Sequence, residues 1–115
     1  MDKIEIVTDS ISLDKLKLLA KETFGDMIKA VVDLEKGVMA VGAELHADEE
    51  ALLLDQRSRL TDLWGFNIYV DQPRDSWLEF NSMVNIRPSQ GNLSRDIQSE
   101  DIKNKIIEIV NKLIK

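Results

Sequence analysis

Apolar and charged residues alternate at the start of the chain, where Ile4 and Ile6 are interleaved with Lys3 and Glu5. A period of two marks a strand with one buried face, so a first strand ending near Thr8 is expected. The period then lengthens. Leu13, Leu16, Leu19, Ala20 and Phe24 recur at helical spacing behind Ser12, whose hydroxyl can accept from free amides of a first turn. Gly25 is placed to end that helix in the left-handed conformation. From Met27 to Leu34 the chain is rich in β-branched residues, and after Glu35-Lys36-Gly37 a second apolar run covers Val38 to Val41. That pattern predicts a β-hairpin with Gly37 at the turn.

Residues 43–55 carry two signals. Asp48-Glu49-Glu50 suits a helix N-terminus, yet Ala51-Leu52-Leu53-Leu54 shows no 3.6-residue period. The segment 50–55 is read as a buried strand after a turn near Ala47-Asp48, with a helix as the alternative. Alternation returns in 62–70, where Trp64, Phe66, Ile68 and Val70 share one face and Leu63, Asn67 and Tyr69 the other. Beyond the turn-rich 71–75, Leu78, Phe80, Val84 and Ile86 share a face with Ser82 between them. The two runs predict a long hairpin that Pro88 ends. Residues 87–98 read as a loop. Ser99 caps a last helix striped by Ile102, Ile106, Ile109, Val110, Leu113 and Ile114.

The expected fold is α+β, one domain over 1–115 in the order β-α-β-β-β-β-β-α. An antiparallel sheet of about five to six strands carries two helices on one face.

Composition narrows the function classes. The chain has 115 residues, no cysteine and a formal net charge of −6. An acidic surface repels nucleic acid and anionic lipid, so neither is expected as a partner. Without cysteine there are no disulfides, thiolate metal sites or thiol nucleophiles. The opening Met1-Asp2-Lys3-Ile4-Glu5 has no apolar leader segment, and no stretch approaches the roughly 18 apolar residues of a membrane span. A cytoplasmic location follows as the expectation. No P-loop, dinucleotide fingerprint or Gly-x-Ser-x-Gly elbow appears, so no cofactor is assigned.

Val38-Met39-Ala40-Val41-Gly42, Glu44 through Leu54, Asp62-Leu63-Trp64-Gly65, and Asn85-Ile86-Arg87-Pro88-Ser89-Gln90-Gly91-Asn92 together resemble a family of short prokaryotic proteins described only as a domain of unknown function. The resemblance covers nearly the whole chain, and its most specific part is the string from Arg87 to Asn92. It implies no reaction, cofactor or catalytic residue.

Two clusters carry candidate chemistry. The loop 85–95 holds Arg87, Ser89, Gln90, Asn92 and Arg95 and no acid. Guanidinium forks, hydroxyls and amides are the groups that hold phosphate or carboxylate, so these five are the candidate ligand-binding residues. The second cluster is Glu44, His46 and Asp48 around the only histidine. On a strand these alternate residues would share a face, as metal ligands or as an acid-base set. A non-enzymatic binding or regulatory domain using loop 85–95 against a small anion or a protein partner is the first expectation. A small metal-assisted hydrolase using Glu44, His46 and Asp48 is the alternative. Trp77 and Tyr69, on the less apolar face of the hairpin, are a candidate stacking surface. An unpaired hairpin edge is a candidate surface for pairing with a second copy.

Overall fold

The computed structural model describes residues 4–115; the charged opening Met1-Asp2-Lys3 lies outside the described residues. The described chain is an α+β fold built on one antiparallel sheet. Its strands are β1 (Glu5–Val7), β2 (Met27–Asp33), β3 (Val38–Val41), β4 (Leu63–Tyr69) and β5 (Leu78–Glu79), and they lie in the order β1-β3-β2-β4-β5. The central strand β2 pairs with β3 through the expected hairpin and with β4 along its whole length, from Met27 opposite Tyr69 to Asp33 opposite Leu63.

Helix α1 (Leu13–Lys21) and helix α3 (Glu100–Leu113) cover one face. Both begin as the sequence predicts, with the hydroxyls of Ser12 and Ser99 accepting from the amides of Lys15 and Ile102. Leu16, Leu19 and Ala20 of α1 and Ile106, Val110 and Leu113 of α3 are buried against Ile28, Ala30, Val32, Met39, Val41, Trp64, Phe66 and Ile68. The side chains of that face come from alternate strand positions, so the period-two pattern and the helical stripe meet in a single core.

Two expectations are corrected and one is extended. The segment 50–55 is not a strand but lies within a third helix, α2 (His46–Asp55). Its buried residues are His46, Glu49 and Leu53, spaced i, i+3 and i+7 along one stripe. That stripe is mostly polar, so the hydrophobic pattern that betrays a helix is missing. Next, the two expected helices, α1 and α3, do share one face, but the other face of the sheet is covered as well. α2 packs on the opposite side, where Leu53 meets Val31, Ala40 and Leu63. Finally, the second arm of the long hairpin is short. After Leu78–Glu79 the chain leaves the ladder and forms a 3-10 turn at Met83–Asn85. Leu78 and Phe80 still pack on the α1–α3 core, whereas Val84 turns to a cavity on the α2 side.

What replaces the missing ladder is a side chain. Gly65 of β4 faces the side where β5 pairs only at Asn67 and Ile68. The buried Asn85 amide takes both of its backbone groups, accepting from Gly65 N at 2.8 Å and donating to Gly65 O at 2.9 Å. Gly65 leaves no space for a larger residue: an added Cβ would lie 2.8 Å from Val84 Cγ2 and 2.9 Å from Ser82 Cβ. The absence of a side chain at 65 lets the 82–85 segment lie directly on the sheet, and this sets the floor of the site described next.

Candidate functional site

Loop 85–95 buries Asn85, Arg87 and Asn92 and leaves Ser89, Gln90 and Arg95 exposed. A two-residue bridge between Arg87 and Asn92 closes it, around a 3-10 turn at Pro88–Gln90 that ends on Gly91 at φ 77°. The buried Arg87 guanidinium donates to Leu60 O at 2.7 Å and to Glu50 Oε2 at 3.3 Å, and lies 4.9 Å from the Trp64 ring centroid. Burial lowers its pKa, opposed by the Glu50 carboxylate, and the group stays charged because arginine starts so high. Gln90 donates to Thr61 O at 3.1 Å. The Asn92 amide nitrogen reaches Asn85 O, Ser94 O and Asp96 O, while its oxygen accepts from Gln98 N. Arg87 and Asn92 are buried and spend their hydrogen bonds inside the protein, as buried polar groups must, while Gln90, though exposed, ties the loop to Thr61. Ser89 is exposed on the turn, away from that network. Arg95 is also exposed, and it lines a cavity.

The Glu44, His46, Asp48 cluster does not assemble as a metal site. No group of three or more His, Cys, Asp or Glu side chains that could hold a metal ion occurs among the described residues. The reason is α2. His46 and Asp48 are two apart on a helix, so one is buried and the other exposed. Glu44 precedes the helix and is exposed.

His46 and Arg95, from the two separate clusters, nevertheless line the same cavity. It has a volume of about 150 Å³ and is bounded by Lys29 of β2, Leu45, His46 and Ala47 at the start of α2, Ser82, Met83 and Val84 before loop 85–95, and Arg95. Its named walls carry the cations Lys29 and Arg95 and no carboxylate. The first turn of α2 adds the positive end of a helix dipole. Leu45 occupies the N-cap and gives no side-chain cap hydrogen bond. Asp48 and Glu49 belong to the same turn, but neither is part of the cavity wall. The Glu49 carboxylate accepts from Ala43 N at 3.0 Å.

The His46 ring is tied by Nε2 to Phe66 O at 2.8 Å. A carbonyl only accepts, so Nε2 bears the proton and Nδ1 is left as the acceptor of the neutral ring. Its pKa is pushed down to about 4 from 6.5, first by burial, with repulsion from Lys29 and Arg95 adding to it; the Phe66 carbonyl and the Asn67 amide oppose the shift. Asn67 lies opposite Lys29 in the β2–β4 register. Its nitrogen donates to Glu79 Oε1 at 2.8 Å, which fixes the amide, and its oxygen has no hydrogen-bond partner.

Lys29 and Ser82 are the site residues that pattern reading passed over. Each had a faint signal. Lys29 is the one charge inside the apolar run Met27–Val32, and Ser82 interrupts the apolar face of its hairpin arm. The aromatic stacking surface is not available: Trp77 is 2% exposed and covered by Arg74, whose guanidinium lies 4.6 Å from the ring centroid. Tyr69 is half-buried and donates its hydroxyl to Glu79.

No helix among the described residues is long and apolar enough to cross a membrane. No curated protein and no solved structure matches the chain. One family model does, described as a protein of unknown function (DUF5674), and it spans residues 5–113. With nearly its whole length covered by that model, the chain belongs to the DUF5674 family.

Proposed function

We propose that this protein is a non-enzymatic binding domain for a small anion, phosphate or carboxylate, and that the anion sits in the cavity between α2, β2 and the 82–95 segment. The observation that carries this reading is the cavity wall, where Lys29 and Arg95 come from distant parts of the chain to one space without a carboxylate. Cations lining one cavity whose wall includes no carboxylate attract an anion, and Ser82 and the first turn of α2 add neutral donors. A volume of about 150 Å³ suits a headgroup, being well below the roughly 300 Å³ at which drug-sized pockets begin. Binding is favoured over catalysis because burial, with Lys29 and Arg95, holds the His46 pKa at about 4, which leaves Nδ1 a weak base near neutral pH, and no acid in the wall raises it.

The test is a thermal-shift and calorimetric titration with inorganic phosphate and with acetate, against sodium chloride at matched ionic strength. Wild-type protein should show a saturable rise in melting temperature. The Lys29→Met, Arg95→Met double variant should bind at least about tenfold more weakly, since each charge-assisted hydrogen bond contributes roughly 1.5–3 kcal/mol. A wild-type protein indifferent to both anions, or a variant that binds as well, overturns the reading.

A further inference from the structure

We infer that the natural ligand is an amphiphilic organic anion, with its charged head inside the cavity and a short apolar tail lying across Leu45 and Met83. This rests on the anion reading and adds the chemical class of the ligand. The cavity has two kinds of wall. Lys29, Ser82 and Arg95 supply charge and hydrogen bonds, while Leu45, Met83 and Val84 supply apolar surface. Leu45 and Met83 are 56% and 65% exposed, among the most exposed large apolar side chains of the described residues. Neither joins a described core cluster.

Leu45 also breaks a local rule. It stands at the N-cap of α2 with no side-chain bond to the first turn, whereas serine, aspartate or asparagine there would stabilise the helix. The same chain uses Ser12 and Ser99 at the starts of α1 and α3. A choice that costs helix stability and leaves apolar surface in water, at the mouth of a cationic cavity, is what a ligand tail would use. The headgroup-sized volume points the same way, since any larger ligand must continue over this rim.

The experiment measures dissociation constants for four probes: acetate, hexanoate, inorganic phosphate and hexyl phosphate, with hexanol as the uncharged control. The expected result is that hexanoate binds at least about tenfold tighter than acetate, and hexyl phosphate than phosphate, because each buried methylene adds roughly fourfold. Which pair binds tighter separates a carboxylate from a phosphate ligand. In the Leu45→Asn, Met83→Ser variant that advantage should fall towards one, while the unliganded protein melts no lower, since asparagine caps the helix. If acetate and phosphate bind but their tailed forms gain nothing, this inference is overturned and the anion reading stands. A tail advantage that survives in the variant also overturns it. If hexanol binds as tightly as hexanoate, this inference is overturned, and if no probe binds, both readings are overturned.

Discussion

Acidification should destabilise this protein through one ring. The chain has a single histidine, whose pKa is about 4 when folded against 6.5 unperturbed. The cause is burial, reinforced by Lys29 and Arg95. Because the folded value is the lower one, the unfolded chain binds a proton between these two values that the native protein refuses. Stability therefore rises with pH across that window and is lost as pH falls through it, levelling off once both states are protonated. At about 1.4 kcal/mol per unit the loss amounts to about 3 kcal/mol, a large part of the roughly 5–15 kcal/mol that holds a domain together. Carboxylates titrate in the same range, so the comparison is with His46→Gln, which keeps an N–H donor for Phe66 O. Urea denaturation at neutral pH and near pH 4 should show wild type losing about 3 kcal/mol more than the variant over that interval. Proton NMR of the lone imidazole should give a midpoint near 4. A midpoint near 6.5, or equal losses in the two proteins, would refute the argument that burial and the two cations keep this ring neutral.

Three further outcomes are expected. Saturating phosphate should raise the His46 midpoint, since a bound anion offsets the repulsion from Lys29 and Arg95, and by reciprocity phosphate should bind more tightly as pH falls; parallel NMR and calorimetric titrations check both. Arg87→Ala should cost about 3–5 kcal/mol in urea denaturation, because it strands the partly buried Glu50 carboxylate and the Leu60 carbonyl, whereas Arg95→Ala should change unliganded stability by less than about 0.5 kcal/mol. Gly65→Ala should cost about 1–3 kcal/mol and weaken phosphate binding, because its methyl would push Ser82 and Val84 out of place at the cavity wall.

The local pattern determined those parts of the fold whose buried side is apolar. Helices α1 and α3 show a 3.6-residue stripe because their inner faces carry Leu16, Leu19, Ala20, Ile106, Val110 and Leu113. Strand β4 shows strict alternation because Trp64, Phe66 and Ile68 all enter one core. Hydrophobic period is the imprint of such a face, and it can be read without coordinates. α2 left no such imprint, since His46 and Glu49 fill two of its three buried positions. The arm after β5 misled for the opposite reason: its alternation persisted in sequence while the Asn85 amide, not a strand, paired with Gly65.

The candidate site divides along the same line. The sequence by itself marked loop 85–95 as polar and acid-free, and His46 as the lone imidazole. It did not determine which of those groups would spend their hydrogen bonds internally. Only the tertiary structure decided that Arg87 is held by Leu60 and Glu50, and that Arg95, His46, Lys29 and Ser82 meet at one cavity. A polar side chain has the same sequence signature whether it faces water, a buried carbonyl or a ligand. Its role depends on partners tens of residues away, brought within reach by packing on the second face of the sheet.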